Sequence, residues 1–258
     1  MIRRAGFVLG LLTAGTALGL VSWAWRYRVS ITRTQRLLAY LRAADAYAAW
    51  RIPARARCGD APFLTPTEGY IGYLWGDAFR PGHRHTGIDI FGGRGNGQTP
   101  VFAAYPGRLY RRADWRASLI IQHDDPLQPG RIIWTYYTHL ADEQGHSLIA
   151  DAFPPGTEGV PVEAGTFLGY QGNFSGRPGH PVGVHLHFSI VRSAADGHYL
   201  DERRLANTLD PSPYLGFPLR FDQVPGDRVP TCPHAWQLEA MGALPGPLVW
   251  PGFERSTP

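Results

Sequence analysis

Between Cys58 and Ser193 the chain is cut into short strand-forming runs by glycine- and proline-containing turns, and this limits its fold more than any other feature. Gly69-Tyr70-Ile71-Gly72-Tyr73-Leu74-Trp75, Ser118-Leu119-Ile120-Ile121-Gln122-His123 and Arg131-Ile132-Ile133-Trp134-Thr135-Tyr136-Tyr137 are rich in β-branched and aromatic residues. So are the shorter runs Val101-Phe102-Ala103-Ala104, Arg108-Leu109-Tyr110-Arg111 and Thr166-Phe167-Leu168-Gly169-Tyr170. Pro106-Gly107, Pro129-Gly130 and Pro155-Gly156 punctuate them. No helix-length apolar period and no fixed repeat occurs in this span. Many short strands at close spacing predict a mainly β fold, a compact antiparallel β-sandwich or barrel-like domain. The 44% apolar and 12% aromatic content supplies a core and excludes general disorder.

The ends are different. Arg3 and Arg4 precede an uncharged run over residues 5–25, closed by Arg26 and Arg28. About 20 residues of helix cross a bilayer core, and Trp23 and Trp25 fit an interfacial anchor. This predicts a signal anchor over 1–28, a membrane attachment through an N-terminal hydrophobic helix, with a cleaved signal peptide as the alternative. The denser positive charge after the run points the other way, towards a cytoplasmic bulk. Leu37, Leu38, Tyr40, Leu41, Ala44, Tyr47 and Ala48 then recur at helical spacing, predicting a short amphipathic helix that stops before Pro53, within a stalk over 29–57. Residues 58–216 make the main domain and 217–258 a Pro-rich extension whose Trp236, Leu238, Met241 and Trp250 favour packing onto it. Cys58 and Cys232 bracket the domain; they are either two thiols or a bridge worth up to about 5 kcal/mol in an oxidising compartment.

Chemistry concentrates in histidines. In Val184-His185-Leu186-His187-Phe188-Ser189-Ile190 the two rings alternate with apolar residues, so a strand turns His185 and His187 to one face and Leu186 and Phe188 to the other. Upstream, His85 and Asp89 are four apart with Gly87 between them, which lets both side chains converge. Two imidazoles and a carboxylate, His85, Asp89 and His187, make a three-ligand set that suits Zn²⁺ and leaves a further position open. His83 has no acid four residues on, and His180 lies in a Pro/Gly loop; His123 reads as a packing residue.

In order, His85-Thr86-Gly87-Ile88-Asp89-Ile90, Thr99-Pro100-Val101-Phe102-Ala103-Ala104, Tyr137-Thr138-His139-Leu140, Gly165-Thr166-Phe167-Leu168-Gly169 and His185-Leu186-His187-Phe188 resemble the landmarks of the LytM/lysostaphin-type zinc metallopeptidases, the M23 family. The resemblance covers roughly residues 62–216. It implies one zinc ion on His85, Asp89 and His187, with His139 and His185 as non-ligand catalytic histidines. One would take a proton as general base and the other stabilise an oxyanion; His185 is preferred as base and His139 as stabiliser, without sequence deciding between them. Two stretches depart from the family pattern, 141–163 and 173–184, both longer than usual and both expected to flank the groove.

The resemblance therefore implies a zinc-dependent endopeptidase that hydrolyses peptide bonds of peptidoglycan, in the cell envelope with its catalytic domain outside the cytoplasm. A non-catalytic relative that binds and activates a wall hydrolase is the alternative, disfavoured because all five positions are kept. A zinc peptidase of protein substrates is another. The net charge of +4 is scattered, without a basic block, so nucleic acid is not an expected partner.

Overall fold

The computed structural model describes residues 31–78 and 82–238. The apolar run over 5–25 lies outside the described residues, and so does the tail beyond 238 with Met241 and Trp250. Among the described residues no helix is long and apolar enough to cross a membrane.

The strands are β1 (Ala56–Cys58), β2 (Tyr70–Tyr73), β3 (Ile88–Phe91), β4 (Pro100–Phe102), β5 (Gly107–Tyr110) and β6 (Leu119–Asp124). They continue with β7 (Ile132–Thr138), β8 (Val160–Val162), β9 (Phe167–Tyr170), β10 (Leu186–Arg192), β11 (Thr208–Leu209) and β12 (Trp236–Leu238). Helix α1 spans residues 31–42 and α2 is the single turn Ser212–Leu215.

The expected mainly β, antiparallel architecture is present; a barrel is not. Eight strands form one sheet in the order β2-β3-β10-β7-β6-β5-β8, with β11 also paired to β10. β2 and β8 end the path and do not pair with each other, so the sheet stays open. The face that closure would turn inward is covered instead. Val101 on β4 and Leu168 on β9, which pair as a separate ribbon, share one apolar core with Leu109, Ile121, Ile133, Phe188 and Ile190 of the large sheet. The connecting residues Phe63, Leu140, Ile149 and Phe217 complete that core.

Chain order and spatial order part company at β10. It inserts between β3 and β7, and the antiparallel registers place His187 opposite both Asp89 and Thr138. Leu186, Phe188 and Ile190 enter the core, as the period of two requires, and His187 faces the other way with Asp89. One row across three strands thus carries Asp89, His187 and Thr138. Gly87 serves this row differently from the expected turn: a Cβ there would lie 2.2 Å from the Phe188 carbonyl oxygen, so glycine permits the close approach of the β3 entry to β10.

The amphipathic helix is shorter than its sequence period. It ends at 42, and Ala48–Trp50 forms a separate 3₁₀ turn. α1 lies on the domain: Leu37 and Tyr40 are buried with Tyr70 and Phe91. Arg33 is buried as well and pairs with Asp77 at 3.3 Å. At the other end, Cys58 and Cys232 form a disulfide, with 5.7 Å between their Cα atoms. The bridge holds the tail where β12 pairs with β1 and Trp236 packs edge-on against Phe217.

Candidate metal centre

Three sequence-predicted ligands meet. His85 Nε2, Asp89 Oδ1 and His187 Nδ1 form a triangle with sides of 3.0, 3.0 and 2.8 Å, and all three residues are buried. Each ring is oriented through its other nitrogen. His85 Nδ1 donates to the Leu74 carbonyl at 3.0 Å, and His187 Nε2 lies 2.9 Å from Glu202 Oε1, to which it donates. These partners orient the rings, so that in their neutral forms Nε2 of His85 and Nδ1 of His187 would turn their lone pairs towards Asp89. Three electron-rich atoms facing one another demand a positive charge between them.

The protonation energetics express the same demand. Burial would lower the basicity of His187, but Glu202 and Asp89 outweigh it and push its pKa up to about 10. Burial likewise opposes the charge on Asp89, yet His85, His185 and His187 hold its carboxyl well below the usual range. Against its own burial, Glu202 is brought down to about 2, chiefly by His187. A cation held by the triangle would take over the charge that a proton on His187 carries otherwise, and its binding would release protons. Two imidazole nitrogens with one carboxylate oxygen are the donor chemistry of zinc rather than of calcium or magnesium.

His85 is held by its backbone too. Its N–H donates to the Asp77 carbonyl and its carbonyl accepts from Gly76, each at 2.8 Å. Asp77, paired to Arg33 of α1, also accepts the Leu74 N–H at 2.7 Å. The buried ion pair therefore fixes the segment that grips both ends of the ligand.

His139 and His185, the other two predicted residues, stand beside the triangle. Their ring centroids are 4.4 Å apart, and His185 Nε2 lies 3.6 Å from Asp89 Oδ1. Phe91 stacks on the His185 ring at 4.8 Å. His139, just beyond β7, has a φ of 71°, a left-handed conformation that costs a non-glycine residue about 1–3 kcal/mol and concentrates at functional sites. Its pKa is pushed down to about 3 by burial and by His185. Burial also lowers that of His185, which Asp89 partly offsets. Both rings are thus neutral at pH 7, able to accept a proton. A groove of about 1310 Å³ opens onto all five residues, with Leu38, Leu41, Trp115 and Val182 among its walls.

The three other histidines weighed from the sequence fall elsewhere. His83 lines the groove outside the triangle, His180 is exposed, and His123 is buried against the Pro106 carbonyl. Sequence reading missed Glu202, which also accepts from Thr86 Oγ1 at 2.6 Å. It sits in the charged turn Asp201-Glu202-Arg203-Arg204, where no period or motif separates it from its neighbours. The hydroxyl cluster of Ser118, Tyr136 and Thr138 along the groove was missed as well.

An open antiparallel sheet thus carries a buried His/Asp/His group that could hold a metal ion, with two further histidines beside it, on a mainly β domain. No family model and no curated protein matches the chain. Among solved structures, a protein assigned as the glycyl-glycine endopeptidase LytM of Ruminococcus gnavus is similar over 50% of this chain at 25% identity, with a TM-score of 0.34. The chain spans 45% of that protein's length. The catalytic domain of the prophage-encoded M23 protein EnpA of Enterococcus faecalis is 20% identical over 58% of this chain and 96% of its own, again at a TM-score of 0.34. Lysostaphin is 20% identical over 63% of this chain and 54% of its own, also at 0.34. These names coincide with the family that the sequence motifs resemble, while superpositions this loose assign no activity.

Proposed function

We propose that the protein is a zinc-dependent endopeptidase that hydrolyses peptide bonds in peptidoglycan cross-links or stem peptides. One observation carries the reading: the donor triangle of His85, Asp89 and His187 with the neutral His139 and His185 at its edge, open to one groove. When bound, zinc supplies Lewis acidity, polarising a substrate carbonyl and easing loss of a proton from water.

The chain's own residues supply the rest. His185, whose Nε2 faces the triangle, is the general base. It is kept neutral by burial, so it accepts the proton of the attacking water and afterwards passes it to the departing amine. His139, one ring further out, stabilises the oxyanion by donation from Nε2–H once Nε2 has taken up a proton in the substrate complex, with Nδ1–H staying on the Phe174 carbonyl. Glu202 and the Leu74 carbonyl hold the ligand rings so that neither needs to reorganise during turnover. The substrate class comes from the motif resemblance. Its site lies outside the cytoplasm, which agrees with the Cys58–Cys232 disulfide, a bond that persists in oxidising compartments. The run over 5–25 would serve as the membrane anchor.

The test is to purify the full-length chain, measure bound zinc, and follow release of new amino groups from purified peptidoglycan. One zinc per chain and amino-group release are expected, both lost in His187→Ala. Zinc-free wild-type protein, or cleavage undiminished in His187→Ala, overturns the assignment. Cleavage of denatured protein but not of peptidoglycan replaces the substrate class and leaves the chemistry standing.

A further inference from the structure

The loop between β9 and β10 is exposed from Ser175 to Gly183, yet its two ends hold the two histidines outside the donor triangle. At its start the Phe174 carbonyl accepts from His139 Nδ1 at 2.7 Å. At its finish the Gly183 carbonyl accepts from His185 Nδ1 at 2.6 Å. The loop is pinched between these points: Val182 N–H donates to the Asn173 carbonyl at 3.0 Å. Asn173 and Val182 are the residues immediately before Phe174 and Gly183, so one neck bond couples the two accepting carbonyls.

The start of the loop is anchored well and its finish is not. Phe174 is buried with Ala117 and Ala141, and the Asn173 N–H donates to the Ala141 carbonyl at 2.9 Å. Gly183 has no side chain to bury, and its placement depends on the neck and on the His185 N–H bond to the Gly172 carbonyl at 3.1 Å. The chemical effect is the same at both ends. A ring that donates through Nδ1 keeps Nε2 as its one acceptor, so a single loop sets one tautomer on two histidines. Ser175, Gly176, Pro178 and Val182 of this loop also line the groove. A peptide lying in the groove therefore touches the segment that aims both rings.

We infer that the loop over 173–183 is a clamp that positions His139 and His185 through its terminal main-chain carbonyls and links their alignment to occupation of the groove. Its catalytic consequence rests on the peptidase reading above; the positioning itself does not. Phe174 and Gly183 are positioning residues, acting through the rings they hold.

Two variants of the full-length, zinc-loaded protein test this: Val182→Pro, which removes the neck donor, and replacement of residues 176–181 by two glycines. The readouts are zinc content, the ¹⁵N shifts of the assigned imidazoles, and kcat and KM separately. Wild-type protein should show the Nδ1–H tautomer on both rings. In both variants a mixture of tautomers should appear on His185 first, with kcat reduced ~100-fold, the scale of a misplaced reacting group, and zinc unchanged. Unmixed Nδ1–H tautomers in both variants, a kcat within twofold of wild type, or loss of zinc with the loop change would each overturn the clamp. If wild-type protein cleaves nothing, the peptidase reading fails, and the tautomers still decide whether the loop positions the rings.

Discussion

The four histidines at the candidate site form two pairs held by opposite means. His85 and His187 are locked from behind: one by the Leu74 carbonyl, in a segment braced by the buried Arg33–Asp77 pair, the other by the Glu202 carboxylate. His139 and His185 are held by main-chain carbonyls at the two ends of an exposed loop. The difference fits the roles proposed for the two pairs. Metal ligands gain from charged partners that raise basicity and forbid rotation. A base that must take up a proton gains from a dry setting in which burial keeps it neutral at rest.

The sharpest way to break this division is to remove single rings from either side. His85→Ala should lose zinc after dialysis, together with all activity. His139→Ala and His185→Ala should each keep one zinc per chain and lose about 10²–10⁴ in kcat, the usual contribution of general acid–base groups. Metal analysis beside kinetics on peptidoglycan reads both. A His185→Ala protein that sheds its zinc would erase the distinction between the pairs.

The two halves were also unequally legible. Four of the five predicted residues, His85, Asp89, His185 and His187, stood out because strand alternation and the i, i+4 spacing put polar groups where a buried sheet has no use for them, whereas His139 came only from the family resemblance. The partners of the ligands did not. Glu202 reaches His187 from a turn whose neighbours are all charged, and Arg33 reaches Asp77 from a helix that reads as a plain connector. Their contacts are tertiary, without local pattern. The two- and three-residue strands β11 and β12 are too short for any period, and sheet closure depends on strand order, in which β10 joins β3 and β7 across most of the domain. The long loop at 173–184 was recognisable as a departure, but that its ends grip both non-ligand rings was not.

A smaller effect sharpens the ligand side. Glu202 gives His187 two things, an acceptor for Nε2–H and a negative charge. Glu202→Gln keeps an oxygen that can accept from His187 and Thr86 and removes the charge; Glu202→Ala removes both. Zinc affinity measured by chelator competition should fall about 10-fold in Glu202→Gln and towards 100-fold in Glu202→Ala, the range seen when outer partners of ligands are lost. Equal losses would mean that the charge alone matters, and no loss in either would leave His187 oriented by its strand.

An effect on stability alone comes from His123, which has the second pair's arrangement without a site. Its Nδ1 donates to the Pro106 carbonyl at 2.8 Å, Thr135 Oγ1 lies 2.7 Å from Nε2, and the ring packs against both Phe63 and Tyr105. Burial pushes its pKa down to about 4, from an ordinary value near 6.5. The sign follows from linkage. Below pH 6.5 the unfolded chain binds a proton that the folded chain refuses, so stability falls as the pH drops towards 4 and levels off beneath it. At about 1.4 kcal/mol per pKa unit, the whole window is worth on the order of 3 kcal/mol. Carboxylates titrate in the same range, so the measurement has to be a difference. Urea unfolding of wild type and His123→Gln at pH 7, 6, 5 and 4.5 should show wild type losing ground to the variant steadily as the pH falls. A constant gap would show that His123 takes up its proton as readily in the folded state as in the unfolded one. A carbonyl-held ring would then not be kept neutral by burial, and the same account of His139 and His185 would lose its support.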